Sequence, residues 1–158
     1  MLSFRDPYQQ QVLKNAKAFA LALHNCELGV EGDSERGYTE THQVILNVGK
    51  GRGPEIADRL EQANIITNSQ GLPYDASFSD ASGIRLGVQE MTRWGMKETD
   101  FSYLAEIMAN VILGRDEIPS LASSVADYRT NFTEQQYVFR GDKIDKMTQA
   151  CMTAIAGK

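Results

Sequence analysis

Ala81-Ser82-Gly83-Ile84-Arg85-Leu86-Gly87-Val88-Gln89-Glu90-Met91-Thr92-Arg93-Trp94-Gly95-Met96-Lys97-Glu98 is the stretch on which the reading of this chain turns. Its first part, Gly83 to Gly87, reads as a strand closed by glycine at both ends. Upstream lies a turn-rich run from Asn68 to Ala81, with Gly71, Pro73 and several Ser and Asp residues. A run of that length reaches the ~12–15 residues at which loops become suspect of function. Before it, Asn64-Ile65-Ile66-Thr67 reads as a short strand, and Ile56, Ala57, Leu60 and Ala63 recur at helical spacing with Pro54 at the helix start. The segment His42 to Val48 is β-rich and bounded by glycine-containing stretches, so it reads as another strand. At the front, Val12, Ala16, Phe19, Ala20 and Leu23 form the apolar stripe of a helix from Asp6 to about Cys26, with Pro7 in its first turn.

Downstream of the quoted stretch the period is helical throughout. One stripe is Phe101, Leu104, Ala105, Met108, Val111 and Ile112; a second is Leu121, Val125 and Tyr128; a third is Ile144, Met147, Cys151 and Ile155, with Asp142 as its candidate N-cap. This order predicts an α+β fold in which helices cover one face of a small, mostly antiparallel sheet. No internal repeat or linker divides the chain, so residues 1–158 are expected to form a single unit. Its parts are a leading helix over 6–26, an α/β core over 42–113 and a helical extension over 118–158.

With 42% hydrophobic and 23% charged residues, the composition is that of a soluble globular chain rather than a disordered one. A net charge of −5 leaves no basic field for a nucleic acid. Apolar runs are broken well before the ~20 residues of a membrane span. The start, Met1-Leu2-Ser3-Phe4-Arg5-Asp6, lacks the layout of a signal peptide, so a cytoplasmic location is expected. Cys26 and Cys151 have no CxxC spacing, and only His24 and His42 could join them in a metal site; buried, reduced thiols and no metal are the expectation. The loop Gly49-Lys50-Gly51-Arg52-Gly53 could cradle a phosphate on its amides, yet it lacks the full P-loop pattern and reads better as a plain strand-to-helix connection.

The quoted stretch closely resembles the serine hydroxymethyltransferase segment that runs SGIR, an aliphatic residue and Gly, and later a Thr, a basic position and Gly-(Met/Phe)-Lys-Glu. Other landmarks of that family follow in order: Tyr8-Gln9-Gln10-Gln11-Val12-Leu13-Lys14-Asn15-Ala16-Lys17-Ala18 resembles its YQxQVxxNAKA helix, Thr39 to His42 stands where it has TDNH, and Asn64 to Pro73 stands where it has a strand and an NKNxxP-like loop. The resemblance implies the C-terminal small domain of a fold-type I enzyme dependent on pyridoxal phosphate, which performs glycine/serine hydroxymethyl transfer or related amino acid aldol chemistry in one-carbon metabolism. It implies that Arg85 binds the α-carboxylate of the amino acid substrate, with Ser82 and Tyr74 as further lining residues. It places the cofactor lysine, the ring-bracketing residues and the phosphate site in a large preceding domain, in an enzyme usually homodimeric or homotetrameric. None of the chain's lysines stands in the family's cofactor context, so this chain alone is expected to bind no pyridoxal phosphate and to be inactive.

Two departures bear on substrate. Pro73-Tyr74-Asp75-Ala76 replaces a PNDP-like turn, putting a ring where a small amide lies near the folate, which counts against tetrahydrofolate. Tyr38-Thr39-Glu40-Thr41-His42 departs from GTDNH at three places, so no catalytic role carries over to His42, which reads as structural. The tail, with Tyr128 to Phe132 and Tyr137-Val138-Phe139-Arg140, looks more like divergent, folate-independent relatives such as threonine transaldolases. Two alternatives stay open here. Arg85 could be a strand-end residue in a surface ion pair, and the chain could be a free-standing amino-acid-binding or interaction module without catalysis.

Overall fold

The structure, a computed structural model, describes residues 4–138 and 141–156. Helix α1 (Arg5–Asn25) buries Val12, Asn15, Ala16, Phe19, Ala20 and Leu23, the expected stripe with one polar member added. It stops where Glu27 takes a left-handed φ of 68° and Leu28 N returns to Leu23 O at 3.1 Å, a backbone reversal that ends helices. Then follow β1 (Gly29–Val30), β2 (Gln43–Asn47), α2 (Gly53–Gln62), β3 (Asn68–Gln70), β4 (Gly83–Gly87), α3 (Gln89–Arg93), α4 (Glu98–Leu113), α5 (Ile118–Arg129) and α6 (Asp142–Ala156).

The four strands form one antiparallel sheet in the order β1-β2-β4-β3. Register places Ile45 and Asn68 on either side of Arg85, and Asn47 and Gln70 on either side of Gly83. Because side chains alternate across a strand, Val44, Leu46, Ile84 and Leu86 all point to one face, where they are buried. On the other face Gln43, Ile45 and Asn47 are only half-buried, and Arg85 is exposed. Helices therefore cover one side of a small antiparallel sheet, as the element order predicts. The buried face joins α1, α2 and α4 in one continuous core, where Phe19 and Phe101 meet at 5.3 Å between ring centroids. Full burial of each such ring favours folding by ~1.5–3 kcal/mol.

Several expectations need correction. Asn64 to Thr67 is not a strand: Asn64, at φ 63°, ends α2, Ile65 N bonds back to Leu60 O at 2.8 Å, and Ile66 is 87% exposed. Pairing begins only at Asn68, because the helix stop must be completed before the chain can extend. The run from Asn68 to Ala81 thus contains β3 and a 3-10 turn at Phe78–Asp80. The short β1 and α3 carry no pattern long enough to read. Helix α6 does not bury its stripe, since Ile144 and Met147 are 46% and 48% exposed. Cys151 is likewise exposed and Cys26 half-buried, so the thiols are free but not the core residues expected. Asp142 opens α6, while its capping side chain, that of Ile155, and Met1 to Ser3, Phe139, Arg140 and Lys158 lie outside the described residues.

Candidate carboxylate site on the open face of the sheet

Arg85 sits at the middle of β4, pointing away from the helical layer. Among the described residues its guanidinium joins no ion pair; the five ion pairs present involve other arginines. A surface ion pair inside the chain, the competing reading, is therefore not what the structure shows. The fork of donors on this side chain faces outward from a strand that is hydrogen-bonded on both edges, so its base is rigid.

Tyr74 reaches the same face from the loop between β3 and β4. Its hydroxyl accepts from Asn47 Nδ2 at 2.6 Å and donates to Glu31 Oε1 at 3.0 Å, and Asn47 Nδ2 also donates to Glu31 Oε1 at 3.2 Å. Asn47 is on β2 and Glu31 follows β1, so three separate segments converge. The ring is held although it is 62% exposed. Desolvation, with the hydrogen bond and charge of Glu31, raises the phenol above its ordinary value and keeps it protonated.

Ser82 is buried, and its hydroxyl is engaged inside the chain: it donates to Asp75 Oδ1 and accepts from Gly51 N at 3.3 Å. Asp75 Oδ2 accepts from Leu72 N at 2.7 Å and from Ser82 N at 2.8 Å. These bonds, led by the one from Leu72 N and the one from Ser82 Oγ, hold Asp75 below the ordinary carboxylate value.

The glycine loop does not present a phosphate cradle. Gly49 N bonds to Asn47 Oδ1 at 3.0 Å, Gly51 N to Ser82 Oγ, Arg52 N to Gly49 O at 3.1 Å and Gly53 N to Ala81 O at 2.8 Å. Gly53 is required by close packing, since a Cβ there would stand 2.6 Å from Ala81 O and 2.8 Å from Gly83 O.

Two of the stretches that carry the resemblance, Tyr8 to Ala18 and Ala81 to Glu98, meet along a single seam. Tyr8 Oη donates to Gln89 O at 2.8 Å, and Gln11 Nε2 to Glu98 Oε2 at 3.1 Å. Fully buried Asn15 donates to Thr92 Oγ1 at 2.8 Å and Met96 O at 2.9 Å, and accepts from Gln11 Nε2. The first landmark helix is thus riveted to the end of the quoted stretch by polar contacts.

The serine hydroxymethyltransferase family pattern matches residues 2–108. This chain belongs to that family. It is 46% identical over 143 residues to a serine hydroxymethyltransferase of Staphylothermus marinus, covering 89% of this chain and 32% of that protein. It is 38% identical over 158 residues to the one from Sulfolobus acidocaldarius, covering 98% and 36%. L-threonine transaldolase from Pseudomonas fluorescens, solved in its internal aldimine state, is similar with a TM-score of 0.76 and 29% identity, covering 89% of this chain and 33% of that one. The chain spans about a third of the length of these relatives.

Membership of the serine hydroxymethyltransferase family implies pyridoxal phosphate in the full enzyme. Lys17 Nζ donates to Arg36 O at 2.7 Å and Lys97 Nζ to Gln11 Oε1 at 3.3 Å. A groove of about 610 Å³ between the sheet, α4 and α5 is lined mainly by apolar groups, including Met91, Met96 and Phe101, and by no lysine. His42 is exposed beside a shallow cleft with Tyr8 and Glu40, with its carbonyl accepting from Val88 N at 3.2 Å. Among the described residues no cluster suits a metal ion, and no helix is long and apolar enough to cross a membrane.

Sequence reasoning missed Glu31, Asn47 and Asp75. Asp75 alone left a local trace, an Asp three residues after Leu72 in a Pro-containing turn. The other two join the site only through sheet register.

Proposed function

We propose that this chain is the small domain of a hydroxymethyltransferase-like enzyme, and that Arg85 grips the α-carboxylate of its amino acid substrate. The carrying observation is the guanidinium itself, exposed on the uncovered sheet face and unpaired with any described carboxylate. Two parallel charge-assisted hydrogen bonds to a carboxylate, each ~1.5–3 kcal/mol, fix both position and rotation of the ligand. Tyr74, pinned by Glu31 and Asn47, forms a wall on the same face. The uncovered face receives the large domain, which carries pyridoxal phosphate and its lysine, and the complete enzyme is a homo-oligomer in the cytoplasm. In the complete enzyme Arg85→Lys weakens binding of glycine or serine by roughly ten- to a thousandfold, because an ammonium lacks the two-pronged geometry. Unchanged affinity in equilibrium dialysis would rule the role out.

The likeness to L-threonine transaldolase and the ring of Tyr74 favour a second version, aldol transfer without folate. Turnover of a β-hydroxy amino acid by the complete enzyme should then proceed at the same rate with and without tetrahydrofolate. An absolute requirement for tetrahydrofolate returns the assignment to hydroxymethyl transfer. Calorimetric binding of glycine to this chain alone would instead support a free-standing amino-acid-binding module.

A further inference from the structure

The connection from β3 to β4 runs over residues 71–82, a long closure for a strand as short as Asn68–Gln70. A three-residue edge strand on a loop of that length is poorly held by its own ladder and opens readily. Yet this strand supplies the neighbour of Arg85 on one side, since Asn68 lies opposite it. Something must hold the two ends of the loop together.

The structure assigns that task to Asp75: we propose that its carboxylate, with the Ser82 hydroxyl, is a positioning device that sets Arg85 for carboxylate recognition. One oxygen, Oδ2, bridges the loop by accepting from Leu72 N at 2.7 Å and Ser82 N at 2.8 Å. The other oxygen, Oδ1, accepts a hydrogen bond from Ser82 Oγ, and that hydroxyl accepts in turn from Gly51 N at 3.3 Å. Leu72 stands two residues past the end of β3, and Ser82 stands directly before β4. A single side chain therefore ties the exit of one strand to the entrance of the next and to the glycine turn that follows β2. Val48 N to Ser82 O at 2.9 Å and Gly53 N to Ala81 O at 2.8 Å complete the hold on this entrance. Gly83 leaves no slack, because a Cβ there would stand 2.7 Å from Gln70 O. Tyr74 is the residue immediately before Asp75, so the same tie presents the ring to Asn47 and Glu31. Asp75 touches no ligand in this arrangement; it acts through the strand that carries Arg85.

The inference rests on the carboxylate-binding reading of Arg85, and the test separates the two. In the complete enzyme, affinities for glycine and for glycinamide, which lacks the carboxylate, are measured by equilibrium dialysis for Asp75→Asn, for the milder Ser82→Ala, for Arg85→Lys and for each pair with Arg85→Lys. A misplaced guanidinium costs selectivity for the acid group, so Asp75→Asn and Ser82→Ala should each lower glycine affinity by about tenfold and leave glycinamide affinity unchanged. Neither should lower it further once Arg85 is Lys, since residues acting as a unit are not additive. An equal loss for glycine and glycinamide, or a full additional loss on top of Arg85→Lys, would overturn the positioning role while leaving Arg85 in place. Should Asp75→Asn fail to fold, Ser82→Ala decides by the same two criteria. If Arg85→Lys itself leaves glycine affinity intact, the carboxylate reading falls and the positioning role with it.

Discussion

At the scale of single residues, burial separates the arginine proposed to bind from the groups that hold the fold. Arg85 faces outward and pairs with no carboxylate among the described residues, whereas Asn15 is fully buried and makes three hydrogen bonds to Gln11, Thr92 and Met96. Both stand in motifs that carry the family resemblance, and only burial tells them apart. Asn15→Ala should lower stability by about 1–3 kcal/mol in urea unfolding, because it strips the Met96 carbonyl of its buried donor, while the Thr92 hydroxyl keeps only its own donation to Val88 O. A loss below ~0.5 kcal/mol would show the seam to be dispensable. Tyr128 is a similar holder: burial first, then its 2.7 Å hydrogen bond to Asp100, push the phenol well above its ordinary value, so it serves as a fixed donor.

Among elements, the sheet shows how local and long-range terms divide the work. β2 and β4 are legible as a β-rich run between glycine-containing stretches and as a strand closed by glycine at both ends. β3 was misplaced by several residues, because Ile65 and Ile66 look like strand residues but complete the end of α2. What makes Asn68–Gln70 a strand is its pairing with β4 and the tie through Asp75, neither of which is a local property. The tie has a pH signature. Asp75 is held below its ordinary value of 3.8, so its contribution is fully present above 3.8 and disappears as pH falls through the lower folded value. Amide exchange at Asn68 to Gln70, followed by NMR, should quicken as pH drops below 3.8, beyond the intrinsic pH effect on exchange. In Asp75→Asn that extra acceleration should be missing; its persistence would assign the transition to another carboxylate.

For the molecule as a whole, one sheet face is closed by helices and the other presents Ile45, Asn47, Tyr74 and Arg85, the face proposed to receive the large domain. Ile45 lies opposite Arg85 and is half-buried, so an uncharged polar side chain there disturbs this chain only modestly and does not pair with the guanidinium as a carboxylate would. Ile45→Gln should shift the stability of this chain by about 1 kcal/mol or less, yet lower the melting temperature of the complete enzyme, where the same amide would be desolvated at the domain contact. Equal melting of mutant and parent complete enzymes, by calorimetry, would place the contact elsewhere.

By itself the sequence determined the family, the α+β class and the long helices, and put Arg85 forward as a candidate, because these rest on short-range periodicity and on motifs that survive being read one residue at a time. The tertiary structure alone decided which side of the sheet stays open, that Ser82 is buried while Arg85 is not, and that Glu31, Asn47, Tyr74 and Asp75 come together. Those facts depend on strand register and loop closure, which link residues far apart in the chain and leave almost no trace in local pattern.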